Sequence, residues 1–182
     1  KLLVESPIHD AFVVALSARM KAINVGNGAD PDTRMGPLIS AAHRQKVEDH
    51  VALALSEGAT LAVGGARPDD PALANGFFYL PPLLTGCTPE MTISREEVFG
   101  PVIGVERFDS EAEAIARAND TVYGLSAGFW TTDEARIERV SRALRFGTVW
   151  ANDFNVYFPA APWGGYNQSG IGRELGRAGL DE

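Results

Sequence analysis

Apolar residues recur along this chain with two alternating periods, and the periods predict its elements. Residues 1–5 read as a short strand. Ser6 then caps a helix, with Pro7 at its first position. Phe12, Leu16, Met20 and Ile23 lie three or four apart, the spacing of one helix face, and Gly26 and Gly28 are expected to end that helix. Residues 24–38 form a loop rich in Gly, Asp and Pro, more naturally a surface connector than a cofactor grip. A second helix runs from a Ser40 cap to about residue 56, with His43, Lys46 and His50 on a face that reads as solvated. Residues 60–63 make a brief strand, turned by Gly64-Gly65. Pro81-Pro82 interrupts the apolar run 77–84 and demotes it to an edge or irregular strand.

The second half repeats a plainer pattern. Residues 102–108 form an apolar, core-type strand. Ser110-x-x-Glu113 is a capping box that opens a helix to Asn119, with Ala112, Ile115 and Ala116 inward. Residues 125–130 are a strand candidate. Thr131-x-x-Glu134 is a second capping box, Ile137, Val140 and Leu144 line one face of the helix after it, and Gly147 is expected to stop it. Residues 148–152 form the next strand, and a short helix follows residues 169–174. Strand–helix–strand–helix–strand with apolar strands implies a parallel sheet covered by helices, with ligands at the carboxyl ends of strands.

Composition narrows the function classes. The chain has 182 residues, enough for one full core, with 16 Lys and Arg against 24 Asp and Glu, a formal charge of -8. That balance disfavours nonspecific binding to nucleic acid or an anionic membrane. No stretch approaches the roughly 20 apolar residues of a membrane span. One cysteine fits a reducing, cytoplasmic compartment. Cys87 has no histidine nearby in sequence and reads as a structural thiol. His43 and His50 have no carboxylate or cysteine at ligand spacing, so no metal site is expected.

Two stretches carry candidate chemistry. The first is Arg95-Glu96-Glu97-Val98-Phe99-Gly100-Pro101, where Gly100 and Pro101 fix a corner before a core strand. An acidic group and an aromatic face held there suit a sugar diol and a flat ring. Glu97 paired with Arg95, and Phe99 buried in the core, is the ordinary alternative. The second is the Pro/Gly-rich loop after Asn152, with Phe154, Tyr157, Phe158, Trp163 and Tyr166: five aromatics in thirteen residues. Such a loop builds either an aromatic wall, favouring cations by about 0.5–2 kcal/mol per ring, or a subunit contact.

With Glu96-Glu97-Val98-Phe99-Gly100-Pro101, Asn119-Asp120-Thr121-x-Tyr123-Gly124-Leu125, Pro162-Trp163-Gly164-Gly165-Tyr166-x-x-Ser169-Gly170-x-Gly172-Arg173-Glu174 and Gly36-Pro37-Leu38-Ile39-Ser40 on the page, the chain resembles the aldehyde dehydrogenase superfamily over essentially its whole length. It looks like about the last third of a member. The resemblance implies an α/β fold, a three-layer parallel sheet with helices on both faces, incomplete at both ends. Residues 1–182 would be the C-terminal portion of the catalytic domain, with an oligomerisation region beginning near 175–182.

By the same resemblance Glu97 binds the nicotinamide-ribose hydroxyls of NAD, with NADP possible, and Phe99 packs near the nicotinamide. Lys46 and His43 lie toward the adenosine side. Asn152 opens the loop that shapes the aldehyde pocket, and Tyr157, Phe158 and Trp163 line the substrate tunnel. The Trp163 corner is similar to betaine aldehyde and aminoaldehyde dehydrogenases, whose substrates carry a quaternary or protonated amine. Family chemistry uses a cysteine nucleophile, an oxyanion-holding asparagine and a glutamate base. None of the three matches a residue here, so these 182 residues alone are expected to be inactive. The resemblance also implies a homodimer or homotetramer. A general aliphatic or aromatic aldehyde dehydrogenase and a non-catalytic module are the alternatives.

Overall fold

A computed structural model describes residues 1–181 and shows two compact units, residues 1–109 and Ser110 onward. Glu182, in the expected oligomerisation stretch, lies outside the described residues.

The first unit is built on a four-stranded sheet. Its strands are β1 (Leu2–Glu5), β2 (Thr60–Val63), β3 (Leu83–Thr85) and β4 (Ile103–Phe108), in the order β1-β4-β3-β2. β4 is parallel to both β1 and β3, whereas β2 is antiparallel to β3, so the sheet is mixed and the all-parallel expectation fails at β2. β3 is also not an edge strand. The two prolines lie just before its ladder, where no donor is asked of them, and the Pro82 carbonyl accepts from the Ile103 amide at 3.0 Å. Leu83, Leu84 and Val105 are fully buried, each contributing about 1.5–3 kcal/mol. Glu106 of β4 is fully buried as well, with Lys1 Nζ 3.5 Å from Oε1.

Helices α1 (Ser6–Lys21) and α2 (Ala41–Ser56) belong to this unit, with a short α3 (Thr92–Arg95) that the sequence pattern did not predict. Ser6 is not the cap of α1; Glu5 is, without a side-chain bond, and the Ser6 hydroxyl donates to Asp109 instead. α1 ends at Lys21, before either glycine. Val13, Leu16, Met20 and Ile23 face the core, while Phe12 is turned toward solvent. α2 agrees with expectation: the Ser40 hydroxyl accepts from the His43 amide and the helix runs to Ser56. Val47, Val51 and Ala54 are its buried face.

The second unit holds α4 (Glu111–Asn119), β5 (Ser126–Phe129), α5 (Glu134–Ala143), β6 (Thr148–Ala151) and a short α6 (Ala178–Asp181). β5 and β6 are parallel and in register from Ser126 opposite Thr148 to Phe129 opposite Ala151. Ser110 caps α4 as predicted. α5 is capped by Asp133, not Thr131; the Asp133 carboxylate accepts from the Ala135 and Arg136 amides, while Thr131 Oγ1 accepts from the Asp133 amide. α5 ends at Ala143, four residues before Gly147. That glycine is needed for close approach, because a Cβ there would run into the Gly164 carbonyl. The short helix expected after residues 169–174 is α6, and ahead of it come a 3₁₀ turn at Asn167–Ser169 and an antiparallel bridge between Trp163 and Glu174.

Candidate functional site

Glu97, Phe99, His43 and Lys46 all lie in the first unit. The chain leaves α3 in extended backbone at Glu96, and Val98 plugs into the core that also holds Val47 and Val51 of α2. Strand-like alternation around that anchor turns both neighbours outward. Glu97 is exposed, and its carboxylate has no hydrogen bond or ion pair among the described residues. Arg95 donates to the Pro89 carbonyl at 3.1 Å, so the expected alternative of an Arg95–Glu97 pair is not formed. Phe99 is not core either: it is 76% exposed.

Phe99 also has φ +55°, a left-handed conformation that costs a residue with a side chain about 1–2 kcal/mol. The strained residue is therefore Phe99 and not Gly100. Gly100 serves another need, since a Cβ there would come within 2.6 Å of Val47 Cγ2. His43 Nε2 lies 2.8 Å from the Phe99 carbonyl oxygen; a carbonyl only accepts, so the ring nitrogen donates. Such a bond is worth about 1 kcal/mol net, comparable with the strain it opposes. One helical repeat on, His50 Nδ1 donates to the Lys46 carbonyl at 2.8 Å, and His50 Nε2 stands 3.6 Å from Glu96 Oε2. The α2 face that reads as solvated is thus the bed of the Glu96–Gly100 corner. The Lys46 side chain is exposed on the same helix. An unpaired carboxylate accepts hydrogen bonds from a diol, and an exposed ring beside it stacks against a planar group.

Asn152, Tyr157, Phe158 and Trp163 lie in the second unit. Asn152 follows β6 with φ +57°, a conformation asparagine tolerates. Both ends of its amide are occupied: Oδ1 accepts from the Thr131 amide at 2.8 Å and Nδ2 donates to the Thr131 carbonyl at 2.9 Å. It pins the ends of β5 and β6 and opens the loop, and its amide is not turned into the loop's interior.

The ring of Trp150, the one largely buried aromatic at this end, organises the loop. Its indole N–H donates to the Val156 carbonyl at 2.9 Å. Phe154, Tyr157 and Trp163 pack around it, with ring centroids 5.1, 6.1 and 6.0 Å away. Tyr157 and Trp163 meet edge to face at 4.8 Å, and the Tyr157 hydroxyl donates to Asn155 Oδ1. Phe158 is 65% exposed. The far end of the loop is fixed by the Trp163–Glu174 bridge and by the Arg173 guanidinium, which donates to the Gly165 carbonyl and lies 5.1 Å over the Tyr166 ring. Trp150 was not singled out from the sequence, and Phe154 and His50 were named there without a site role of their own. An indole two residues before an aromatic loop is the signal that marks Trp150.

Cys87 is buried, and that burial pushes its thiol pKa up, the opposite of what an attacking thiolate requires. A depression of about 330 Å³ lined by Val51, Leu55, Leu61, Tyr79 and the Glu48–Arg67 pair contains none of the candidate residues.

Residues 1–182 match the model of the aldehyde dehydrogenase family. The chain is 56% identical over 182 residues to betaine aldehyde dehydrogenase of Bacillus subtilis, covering 100% of this chain and 37% of that relative. It is 43% identical over 183 residues to 4-trimethylaminobutyraldehyde dehydrogenase of Rattus norvegicus, with the same two coverages. A crystal structure of betaine aldehyde dehydrogenase from Staphylococcus aureus in complex with NAD+ superposes with a TM-score of 0.96 at 53% identity, covering 98% of this chain and 36% of that one. The chain spans little more than a third of the length of the curated relatives it matches.

Proposed function

The chain belongs to the aldehyde dehydrogenase family, and from that premise we propose that, in a protein of its relatives' full length, it serves NAD+-dependent oxidation of an aldehyde to a carboxylic acid. The substrate is an aldehyde bearing a quaternary or protonated amine, betaine aldehyde or an aminoaldehyde. The observation that carries the reading is the Glu97–Phe99 corner: an exposed, unpaired carboxylate beside an exposed ring in strained backbone. Strain kept at an exposed aromatic is a signature of a binding site.

The residues present fit the nicotinamide end of a dinucleotide. Glu97 accepts from the two ribose hydroxyls and Phe99 backs the nicotinamide ring, while Lys46 reaches toward the adenosine side. When bound, NAD+ supplies the hydride acceptor. NAD is preferred to NADP because a relative of 53% identity was crystallised with NAD+. Cys87 takes no part, being buried with a raised pKa. On the second unit Tyr157, Phe158 and Trp163 form a wall for the substrate's cationic end, with Trp150 behind it and Asn152 opening the loop. Residues 1–182 act as the C-terminal portion of the catalytic domain, and the stretch from Leu175 begins the region that joins subunits in a cytoplasmic homodimer or homotetramer.

The substrate choice is tested in the full-length protein by Trp163→Ala. The expected loss in kcat/KM is about tenfold greater for betaine aldehyde than for a neutral aldehyde of similar size. Equal losses on the two would replace this reading with a general aliphatic or aromatic aldehyde dehydrogenase.

A further inference from the structure

Helix α2 presents His43, Val47 and His50 at intervals of four and three, and all three meet the same short segment. Val47 is fully buried under Gly100, so close that no side chain fits between them. His43 donates to the Phe99 carbonyl on one side of that contact, and His50 faces the Glu96 carboxylate on the other. The corner is thus held at Phe99 and pressed down in the middle. The two residues that point away from this bed are Glu97 and Phe99.

We propose that His43 is a positioning residue, a clamp that fixes how Glu97 and Phe99 are presented to the nicotinamide end of the cofactor. The proposal rests on the cofactor reading above. It gives His43 a role through Phe99 rather than through direct contact with the dinucleotide. Its Nε2 proton is already committed to the Phe99 carbonyl, and Nδ1 is buried without a partner among the described residues. His50 donates its Nδ1 proton to the Lys46 carbonyl and stands 3.6 Å from Glu96 without a hydrogen bond to it. Without the His43 bond, a phenylalanine in left-handed backbone has an open route back to an ordinary conformation, and Glu97 moves with it.

The test uses the full-length protein with His43→Leu and His43→Gln, the glutamine retaining an N–H donor. Hydrogen exchange of peptides covering residues 96–102, measured without cofactor, reads the clamp itself. Steady-state kinetics read its consequence. His43→Leu is expected to speed exchange in that segment and to raise KM for NAD+ about three- to tenfold. KM for the aldehyde should not change, and kcat should fall by less than KM rises. His43→Gln should restore exchange and KM to within about twofold. Should His43→Leu fail to fold, His43→Asn, whose amide is too short to reach Phe99, is read in the same way. Unchanged exchange over residues 96–102, or a glutamine variant as impaired as the leucine, overturns the clamp. A wild-type protein that does not reduce NAD+ overturns the cofactor reading instead, and the exchange measurement still decides the clamp.

Discussion

Phe99 combines three properties that a purely structural residue would not share: positive φ, an exposed ring and a carbonyl held by a distant histidine. Their energies can be set against each other. Phe99→Gly removes about 1–2 kcal/mol of left-handed strain and adds about 0.5–1 kcal/mol of unfolded-state entropy, and little ring burial is lost. The stability of the full-length protein is therefore expected to change by no more than about 1.5 kcal/mol. Its KM for NAD+ should rise several-fold. A melting midpoint that falls as for a deleted core phenylalanine, with KM unchanged, would show that the ring is packing and not presentation. At this scale the sequence was informative about which residues to watch and misleading about how they are held. Glu97 and Phe99 stand next to each other in a contiguous motif. The bond from His43 spans 56 positions, and that from Asn152 to Thr131 spans 21, so neither leaves a local trace. The positive φ falls on Phe99, whereas the neighbouring Gly100, the usual carrier of such a conformation, is present to let Val47 approach.

Among the elements, those defined by local chemistry were legible. Ser40 and Ser110 cap the helices they were expected to cap, and residues 102–108 correspond to β4 with one residue trimmed. Where two caps compete, tertiary geometry decides. Thr131 is tied through its backbone to Asn152, and Asp133 takes the cap. The rank of β3 in its sheet was hidden because a proline pair says only where ladder donors are missing, not which strands lie beside the residues that follow.

The pairing of α4 with α5 makes a separate prediction. Arg139 and then Arg136 hydrogen-bond the Glu111 carboxylate, Arg139 Nε at 2.6 Å and Arg136 Nε at 3.0 Å, and hold its pKa below the ordinary glutamate range. A lowered folded-state pKa contributes stability above the unfolded value and loses it as pH falls through the folded one. Glu111→Gln should thus lower the melting midpoint at neutral pH, modestly because the pair is solvated, and the difference from wild type should vanish in acid below the glutamate range. A difference that persists or grows in acid would contradict this assignment.

For the whole molecule, the motifs that carry the family resemblance divide between presentation and support. Asn119 bridges the ends of α4 and α5, donating to the Ala143 carbonyl and accepting from the Arg145 amide. Gly124 receives the Tyr166 amide and donates to Ser169 Oγ, so two motifs far apart in sequence are two sides of one joint within the second unit. Those supports carry the aromatic loop in the second unit, while in the first unit Glu97 and Phe99 are exposed on the bed formed by α2. The central claim is that Glu97 recognises the nicotinamide ribose. The most direct test is the steady-state rate of NAD+ reduction with betaine aldehyde by the full-length protein, wild type against Glu97→Gln. The account predicts clear turnover by the wild type and a loss of roughly tenfold or more in kcat/KM for NAD+ in the variant, as two charge-assisted hydrogen bonds become neutral ones. Wild-type turnover that Glu97→Gln leaves unchanged would contradict it.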